Sequence, residues 1–229
     1  MLGINLDPMQ ELPKDFIALM REHYGDSVAG TLCDALLDTE PEVSVRLNRR
    51  KIAAILETHP NPPCEGGGVQ GQPCGVGWYP VPWCSDAYYL AERPPFTFDP
   101  LLHAGAYYVQ EASSMFVWQA LEQLVEKNAV VLDMCAAPGG KSTAIAQYLS
   151  EEGFLVSNEY VPQRAHVLVE NITKWGAPNC VVTNNAPRHF EKLKSRFDAI
   201  LVDAPCSGEG MFRKDERARE EWSEANVEM

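Results

Sequence analysis

The second half of the chain alternates between apolar segments of strand length and segments with helical periodicity. The apolar segments are residues 129–134, 154–159, 180–184 and 197–203, and helical spacing is found in residues 142–150 and 163–175. Strands that are separated by helices pair in parallel, because each helix carries the chain back to the edge where the next strand begins. The pattern therefore predicts an α/β domain with a Rossmann-like parallel sheet, in which a ligand binds at the carboxyl ends of the strands.

The first part of the chain has a different texture and predicts a smaller region of its own. Short helices and strands are expected around a loop that is dense in glycine and proline. The predicted elements are two helices in residues 11–40, a strand at 44–48, a helix at 51–58, the loop at 60–77 and an aromatic strand at 78–90. A further helix, predicted at 111–127, comes after this region. We therefore predict an α/β N-terminal domain over residues 1–98 and the parallel-sheet domain over residues 99–229.

Composition excludes several classes of protein. No apolar run approaches the roughly 18 residues of a membrane span, and the start lacks the basic and apolar regions of a secretory signal, so we expect a cytoplasmic protein without a membrane partner. The seven cysteines include no CxxC pair, which predicts neither a metal site nor a disulfide framework. The net charge of −13 argues against phosphate binding, unless a local basic cluster provides it. The candidate phosphate contacts are Arg46, Arg49, Arg50 and Lys51.

A glycine-rich turn stands between the first predicted strand and the helix that follows it. Residues 132–143 read LDMCAAPGGKST. Because Gly139 and Gly140 have no side chains, the backbone there can approach a ligand closely, and the helix N-terminus offers free N–H groups. Such a turn can hold a phosphate or the carboxylate end of an amino-acid-like cofactor.

The same turn resembles the second half of a P-loop, which leaves a nucleotide hydrolase as a less favoured alternative. Gly140, Lys141 and Ser142 fit that motif. However, Cys135 stands where the P-loop requires glycine, and Pro138 removes one of the N–H donors.

Glu159 narrows the choice of ligand. It ends the second predicted strand, about twenty residues after the glycines, where an acid accepts hydrogen bonds from a ribose diol. The G-x-G-x-x-G motif of dinucleotide enzymes is absent from the sequence. Glycines together with this acid favour a single adenosine that carries an amino-acid tail.

A cysteine follows the fourth predicted strand, in the segment Asp203-Ala204-Pro205-Cys206. This position predicts that Asp203 and Cys206 face the same crevice as Gly139. Pro-Cys after such a strand is typical of enzymes that methylate carbon 5 of cytosine. That chemistry needs a thiolate, which adds to the neighbouring carbon 6 and makes carbon 5 nucleophilic.

Five phrases of the chain together carry a resemblance to a known family. Residues 12–16 read LPKDF, residues 44–48 SVRLN, residues 103–115 HAGAYYVQEASSM, residues 135–141 CAAPGGK, and residues 203–210 DAPCSGEG with RKD at 213–215. The set resembles the Sun family of RNA cytosine-5 methyltransferases, and within it the bacterial 16S ribosomal RNA enzymes. The resemblance extends over nearly the whole chain.

The resemblance implies that S-adenosylmethionine is the cofactor, that Glu159 binds its ribose and that Asp203 lies near both cofactor and target base. In this family two cysteines act together. Cys206 matches the one that assists release of the product, and the covalent nucleophile belongs to a later Thr-Cys motif, which is not in this sequence. The expected cofactor-binding residues are Cys135, Ala136, Ala137, Pro138, Gly139, Gly140, Lys141, Glu159 and Asp203, and the expected catalytic residues are Cys206 and Asp203.

A departure from the family pattern at Ala186 and the composition of the last predicted strand lead to further expectations. Ala186 stands where the family often has an acid near the adenine, so Asn185 is a candidate to bond the adenine instead. The segment 197–203 has the composition of a central strand, which needs a neighbour on each side. We therefore expect the sheet to be incomplete at its C-terminal end. Because the covalent nucleophile is absent from the sequence, we also expect the chain to bind the cofactor weakly without turning over.

The sequence thus predicts an enzyme that methylates carbon 5 of a cytosine in RNA, ribosomal rather than transfer RNA, with the N-terminal region helping to dock the RNA. Two alternatives stay open. In the first, Cys206 is itself the nucleophile, as in DNA cytosine-5 methyltransferases. In the second, the protein is a non-catalytic RNA-binding or assembly factor on the same fold, and the acidic net charge fits a protein partner.

Overall fold

The computed structural model describes residues 12–38, 42–52, 78–204, 206, 208–213 and 215–227. Two compact units are found: the helical unit, Met1–Pro41 with Pro205–Met229, and the sheet unit, Glu42–Ala204. The helices are α1 (Lys14–Asp38), α2 (Pro100–His103), α3 (Val117–Leu124), α4 (Gly140–Tyr148), α5 (Pro162–Trp175), α6 (Glu216–Glu220) and α7 (Glu224–Val227). The strands are β1 (Val43–Leu47), β2 (Trp78–Pro80), β3 (Ala87–Leu90), β4 (Tyr107–Val109), β5 (Val130–Asp133), β6 (Phe154–Asn158), β7 (Cys180–Thr183) and β8 (Ala199–Leu201).

The first four strands of the sheet unit form an antiparallel sheet in the order β2-β3-β1-β4. The strand predicted at residues 44–48 is confirmed as β1, which pairs Val45 with Tyr88 on one side and with Val109 on the other. The single strand predicted at residues 78–90 is two strands, because a turn at residues 81–86 reverses the chain. Residues on both sides of Phe98 contribute strands to this sheet, and the predicted domain boundary there stays a prediction. The predicted loop and most of the helix predicted at 51–58 lie outside the described residues.

The other four strands form the predicted parallel sheet, in the order β7-β6-β5-β8. Its central strands are buried, as shown by Leu132 and Leu155, both 0% exposed. The last strand is shorter than predicted and is not buried on both faces: Ile200 is 56% exposed and Val202 60%. The reason is that β8 pairs with β5 alone in the described part of the chain. It is therefore an edge strand there, and its side chains have packing neighbours on one side only.

The helix predicted at residues 111–127 is shorter and begins as a different structure. Ser113–Phe116 form a 3-10 turn, and α3 follows, with Trp118 and Leu121 buried. The helix ends because Val125 is extended, with φ of −123°.

The helical unit has its own small core. α1 is interrupted at Gly25, whose φ of 78° is not helical, so the chain forms the two predicted helical stretches around this residue. Phe16 packs edge-on against Phe212 at 5.2 Å and Trp222 at 5.6 Å between ring centroids. Across the described residues, we find no helix with the length and apolar character that crossing a membrane requires.

Candidate active site

The predicted glycine turn joins β5 to α4 at the carboxyl edge of the parallel sheet. Gly139 has φ of 118°, in the left-handed region that favours glycine, and it begins α4 without a side-chain cap. The N–H groups of Gly140, Lys141 and Ser142 lie in the first helical turn and have no acceptor within the helix. The turn therefore presents a positive helix end at the edge where α/β sheets bind ligands.

Three side chains hold carbonyl groups of this turn on both sides of Gly139. Arg164 Nη2 donates to the Ala137 oxygen at 2.8 Å, and Asn171 Nδ2 donates to the Pro138 oxygen at 2.8 Å. Arg46 Nη2 donates to the Gly140 oxygen at 3.1 Å. Because donors from the protein satisfy these carbonyls, the conformation of the turn is fixed before any ligand binds.

Asp133 is a buried acid at the end of β5, directly before the turn. It is 1% exposed, and Ser142 Oγ donates to its Oδ2 at 2.6 Å. Its Oδ1 is also buried and has no hydrogen-bond partner among the described residues. Burial raises the pKa of Asp133 to about 6, although the hydrogen bond from Ser142 and the charge of Lys141 act in the opposite direction.

The raised pKa predicts how stability depends on pH. Between the usual value of about 3.9 and the folded value, the folded protein holds a proton that the unfolded chain has lost. The contribution of Asp133 to the free energy of unfolding therefore falls as the pH rises from about 4 to about 6, by up to ~3 kcal/mol. Asp133→Asn removes this titration. Urea titrations at several pH values measure the free energy of unfolding of the parent and of the variant. We expect the parent's value minus the variant's to decrease over that range, and a difference that does not change with pH would contradict the raised pKa of Asp133.

Glu159 lies just beyond β6 on the same edge. It is 3% exposed, its Oε1 accepts a hydrogen bond from the Val161 N–H at 2.9 Å, and its Oε2 is buried without a hydrogen-bond partner in the part of the chain that is described. Arg164 Nη1 is 3.6 Å from Oε2, beyond hydrogen-bond length. Buried acceptors are normally satisfied, so this oxygen is suited to a donor on a ligand.

Lys141 and Asp203 form an ion pair at 2.5 Å between Nζ and Oδ2. The Asp203 side chain is 54% exposed, so the pair lies at the open side of the edge. Cys135 belongs to the same group of residues. Burial raises the pKa of its thiol, and the negative charges of Glu159, Asp133 and Asp203 raise it further. Cys135 therefore stays protonated and is a poor nucleophile.

Two family models match the chain and together span most of it. The model of the N-terminal domain of 16S rRNA methyltransferase RsmF matches residues 12–112. The model of 16S rRNA methyltransferase RsmB/F matches residues 120–229. The chain belongs to the Sun family of RNA methyltransferases.

Curated relatives with the name ribosomal RNA small subunit methyltransferase F are similar in sequence. The protein from Pectobacterium atrosepticum is 37% identical over 223 residues, which cover 94% of this chain and 44% of the relative. The protein from Vibrio parahaemolyticus is 43% identical over 159 residues, which cover 66% of this chain and 33% of the relative. The chain thus spans less than half the length of these two relatives.

Solved structures share the fold. A methyltransferase homolog protein from Pyrococcus horikoshii has a TM-score of 0.69 and 26% sequence identity, and the match covers 94% of this chain and 67% of that one. NSun6 from the same organism, solved with SFG, has a TM-score of 0.67 and 17% identity, and the match covers 87% of this chain and 72% of that one. The parallel sheet is thus the Rossmann-like sheet of a methyltransferase, with a smaller α/β region before it.

The sheet unit of this Sun-family chain brings most of the predicted site residues to one edge. Residues 135–141, Glu159 and Asp203 all lie at or just beyond the carboxyl ends of β5, β6 and β8. Cys206 is exposed and belongs to the helical unit. Its place in the crevice stays a prediction, and its neighbours Pro205 and Ser207 lie outside the described residues. The binding and catalytic roles of the whole set also stay predictions.

Two asparagines that sequence reasoning missed join the loops of the Sun-family site. Asn158 is 0% exposed, and its Nδ2 donates to the carbonyls of Met134 at 3.1 Å and Asn185 at 3.0 Å. Asn184 Nδ2 donates to the Glu159 carbonyl at 2.6 Å. These bonds fix the loops after β5, β6 and β7 against each other. Asn185 Oδ1 lies 3.3 Å from His189 Nδ1, and its predicted contact with adenine stays a prediction.

The prediction that Arg46 contacts phosphate is wrong, because this residue is 0% exposed. Two of its neighbours also serve internal contacts. Lys51 Nζ donates to the carbonyls of Ala104 and Lys174, and Arg49 forms an ion pair with Asp86 at 2.7 Å. Charge alone could not separate these side chains from surface cations. Arg50, the fourth candidate, is exposed and makes no hydrogen bond or ion pair with the other described residues.

Proposed function

We propose that the chain is the cofactor-binding part of an enzyme that transfers a methyl group from S-adenosylmethionine to carbon 5 of a cytosine in ribosomal RNA. The observation that carries the proposal is the uncapped start of α4 at Gly139, beside two buried acid oxygens that have no hydrogen-bond partner among the described residues. A helix end attracts the carboxylate of an amino-acid tail, and buried acid oxygens attract hydroxyl and ammonium donors. S-adenosylmethionine carries all three groups.

The residues at this edge fit the cofactor in a definite arrangement. We assign Cys135, Ala136, Ala137, Pro138, Gly139, Gly140 and Lys141 to its methionine end, and Glu159 to the ribose hydroxyls through Oε2. Asp203 lies on the open side, where a target base would enter. When it is bound, the cofactor supplies an electrophilic methyl group on a sulfonium centre.

The chemistry at the base needs a thiolate and a base. A thiolate adds to carbon 6 of the cytosine, and the electron pair that becomes available at carbon 5 takes the methyl group. A base then removes the proton from carbon 5, and the thiolate leaves. We assign Cys206 to the release of the product and Asp203 to the target base, with Lys141 holding the Asp203 carboxylate in place. Trapping with a 5-fluorocytosine RNA distinguishes this role from that of the covalent nucleophile. A covalent protein–RNA adduct that forms with the parent and is lost in Cys206→Ala would show that Cys206 is the nucleophile.

The names of the curated relatives support ribosomal RNA as the substrate. RNA-modifying enzymes reach a base that is unpaired or flipped out of its stack, so the target cytosine is expected in such a position. Arg50 is the remaining candidate phosphate contact near β1. The cytoplasmic location inferred from the sequence belongs to this proposal.

Calorimetry with S-adenosylhomocysteine tests the proposal on the chain as it stands. We expect measurable binding. We expect Glu159→Gln to weaken it by about tenfold or more, because a neutral amide accepts hydrogen bonds from the ribose hydroxyls less strongly than a carboxylate does. Glu170→Gln is the matched control, since Glu170 is an exposed acid on α5. Absence of binding would refute the cofactor assignment and favour the non-catalytic factor, and equal affinities of the two variants would refute the role of Glu159.

A further inference from the structure

Arg46 is a cation buried inside the sheet unit. It lies on β1 of the antiparallel sheet and is 0% exposed, and among the described residues no carboxylate is within 4.0 Å of its guanidinium. Burial lowers the pKa of Arg46 to about 10, so it is charged at neutral pH. A buried charge is costly unless its surroundings compensate for it, so its contacts indicate its role.

The contacts of Arg46 converge on the first turn of α4. Nη2 donates to the Gly140 carbonyl at 3.1 Å and to Thr143 Oγ1 at 2.5 Å, and Nε donates to Gln110 Oε1 at 3.3 Å. The guanidinium carbon also lies 4.6 Å from the centre of the Trp175 ring. Arg46 thus connects the antiparallel sheet to the glycine turn, over a separation of 94 residues in the sequence.

Electrostatics alone would not place a cation there. The N-terminus of a helix carries partial positive charge, which repels a nearby cation. The arginine is compensated instead by its acceptors: Nη2 reaches both the Gly140 carbonyl and the Thr143 hydroxyl, and Nε reaches Gln110, while Nη1 is buried without a hydrogen-bond partner among the described residues. The planar guanidinium fixes Nε and Nη2 relative to each other, whereas a lysine has a single nitrogen and cannot place donors at both positions. The contact therefore restrains the backbone of the turn more than it neutralises charge.

We propose that Arg46 is a positioning residue for the cofactor: it fixes the first turn of α4, so that the N–H groups of the turn are arranged for a carboxylate before the ligand arrives. This inference rests on the proposed function. It gives the antiparallel sheet a part in cofactor binding, in addition to any contact with RNA. Arg164 and Asn171 hold the two carbonyls before Gly139 from α5, and Arg46 holds the one after it.

The test compares Arg46→Met, Arg46→Lys and Asn48→Ala. Methionine keeps much of the apolar length of arginine but removes its donors. Asn48 is the matched control, because it directly follows β1, is also buried at 2% exposure, and donates to the carbonyls of Gly105 and Trp175 rather than to a group of the glycine turn. Each protein is titrated with S-adenosylhomocysteine by calorimetry, and amide hydrogen exchange at residues 140–144 is measured without ligand.

We expect Arg46→Met to weaken binding by about tenfold or more and to speed exchange at residues 140–144, with Arg46→Lys restoring part of both. Asn48→Ala is expected to lower stability while keeping affinity within about twofold of the parent. Equal losses of affinity in Arg46→Met and Asn48→Ala would show that the loss of any buried polar contact in this region weakens binding, and would overturn the proposal. Should the parent fail to bind, the cofactor assignment fails, but the exchange data still decide whether Arg46 orders the turn. If Arg46→Met does not fold, unchanged affinity and exchange in Arg46→Lys overturn the proposal.

Discussion

Gly105→Ala is expected to lower the free energy of unfolding of the sheet unit by more than about 3 kcal/mol. Gly105 has φ of 69°, and a Cβ there would stand 2.0 Å from the Lys174 carbonyl oxygen and 2.6 Å from its carbon. Both contacts are with backbone, which cannot move aside as the end of a flexible side chain can. The backbone is held in place as well, because Asn48 donates to Gly105 and Trp175, and Lys51 donates to Ala104 and Lys174.

Equilibrium unfolding in urea, followed by circular dichroism, measures this effect. Gly30→Ala is the control, since Gly30 lies in α1 and a Cβ there would meet no described atom within 4 Å. Alanine at that helical position is expected to leave stability unchanged or to raise it by up to about 1 kcal/mol. A loss below about 1 kcal/mol in Gly105→Ala would show that the antiparallel sheet does not depend on this close approach to α5.

The sequence predicted the parallel sheet and the glycine turn because both are specified locally. Each apolar strand is followed within a few residues by a turn and a helix, so the period of the pattern determines the element. Glu159 and Asp203 could be placed at the same edge for the same reason, since parallel strands end on one side. The ends of the elements were less well defined: the predicted segment 197–203 gave only Ala199–Leu201, because its outer edge has no neighbour among the described residues.

The role of Arg46 could not be predicted from charge, because it depends on contacts between parts of the chain that are far apart in sequence. The sequence pattern even pointed the other way. Ser44, Arg46 and Asn48 alternate with apolar residues, which is the pattern of a strand with its polar face open to solvent, yet the three are only 2%, 0% and 2% exposed. The fixing of the loops by Asn158 likewise had no signal in the sequence.

Gly139→Val is expected to reduce affinity for S-adenosylhomocysteine by about a hundredfold or more. The φ of 118° at Gly139 is strained for any side chain and most of all for a β-branched one. A Cβ would also stand 3.3 Å from Leu168 Cδ1 and 3.5 Å from Asn171 Cβ. Asn171 holds the Pro138 carbonyl, so relief of the contact would displace the turn itself. Stability should fall too, by about 1–3 kcal/mol.

Since strain alone lowers stability, the control must carry similar strain away from the turn. Gly176→Val provides it, because Gly176 has φ of 76° at the opposite end of α5, and a Cβ there would meet the flexible end of Lys51 at 3.4 Å. We expect this variant to lose comparable stability while it keeps its affinity within about twofold. Calorimetry at a temperature where both variants are folded makes the comparison. If the two variants bind equally well, the conformation of Gly139 has no special part in holding the cofactor, and the site must be sought elsewhere along the carboxyl edge of the sheet.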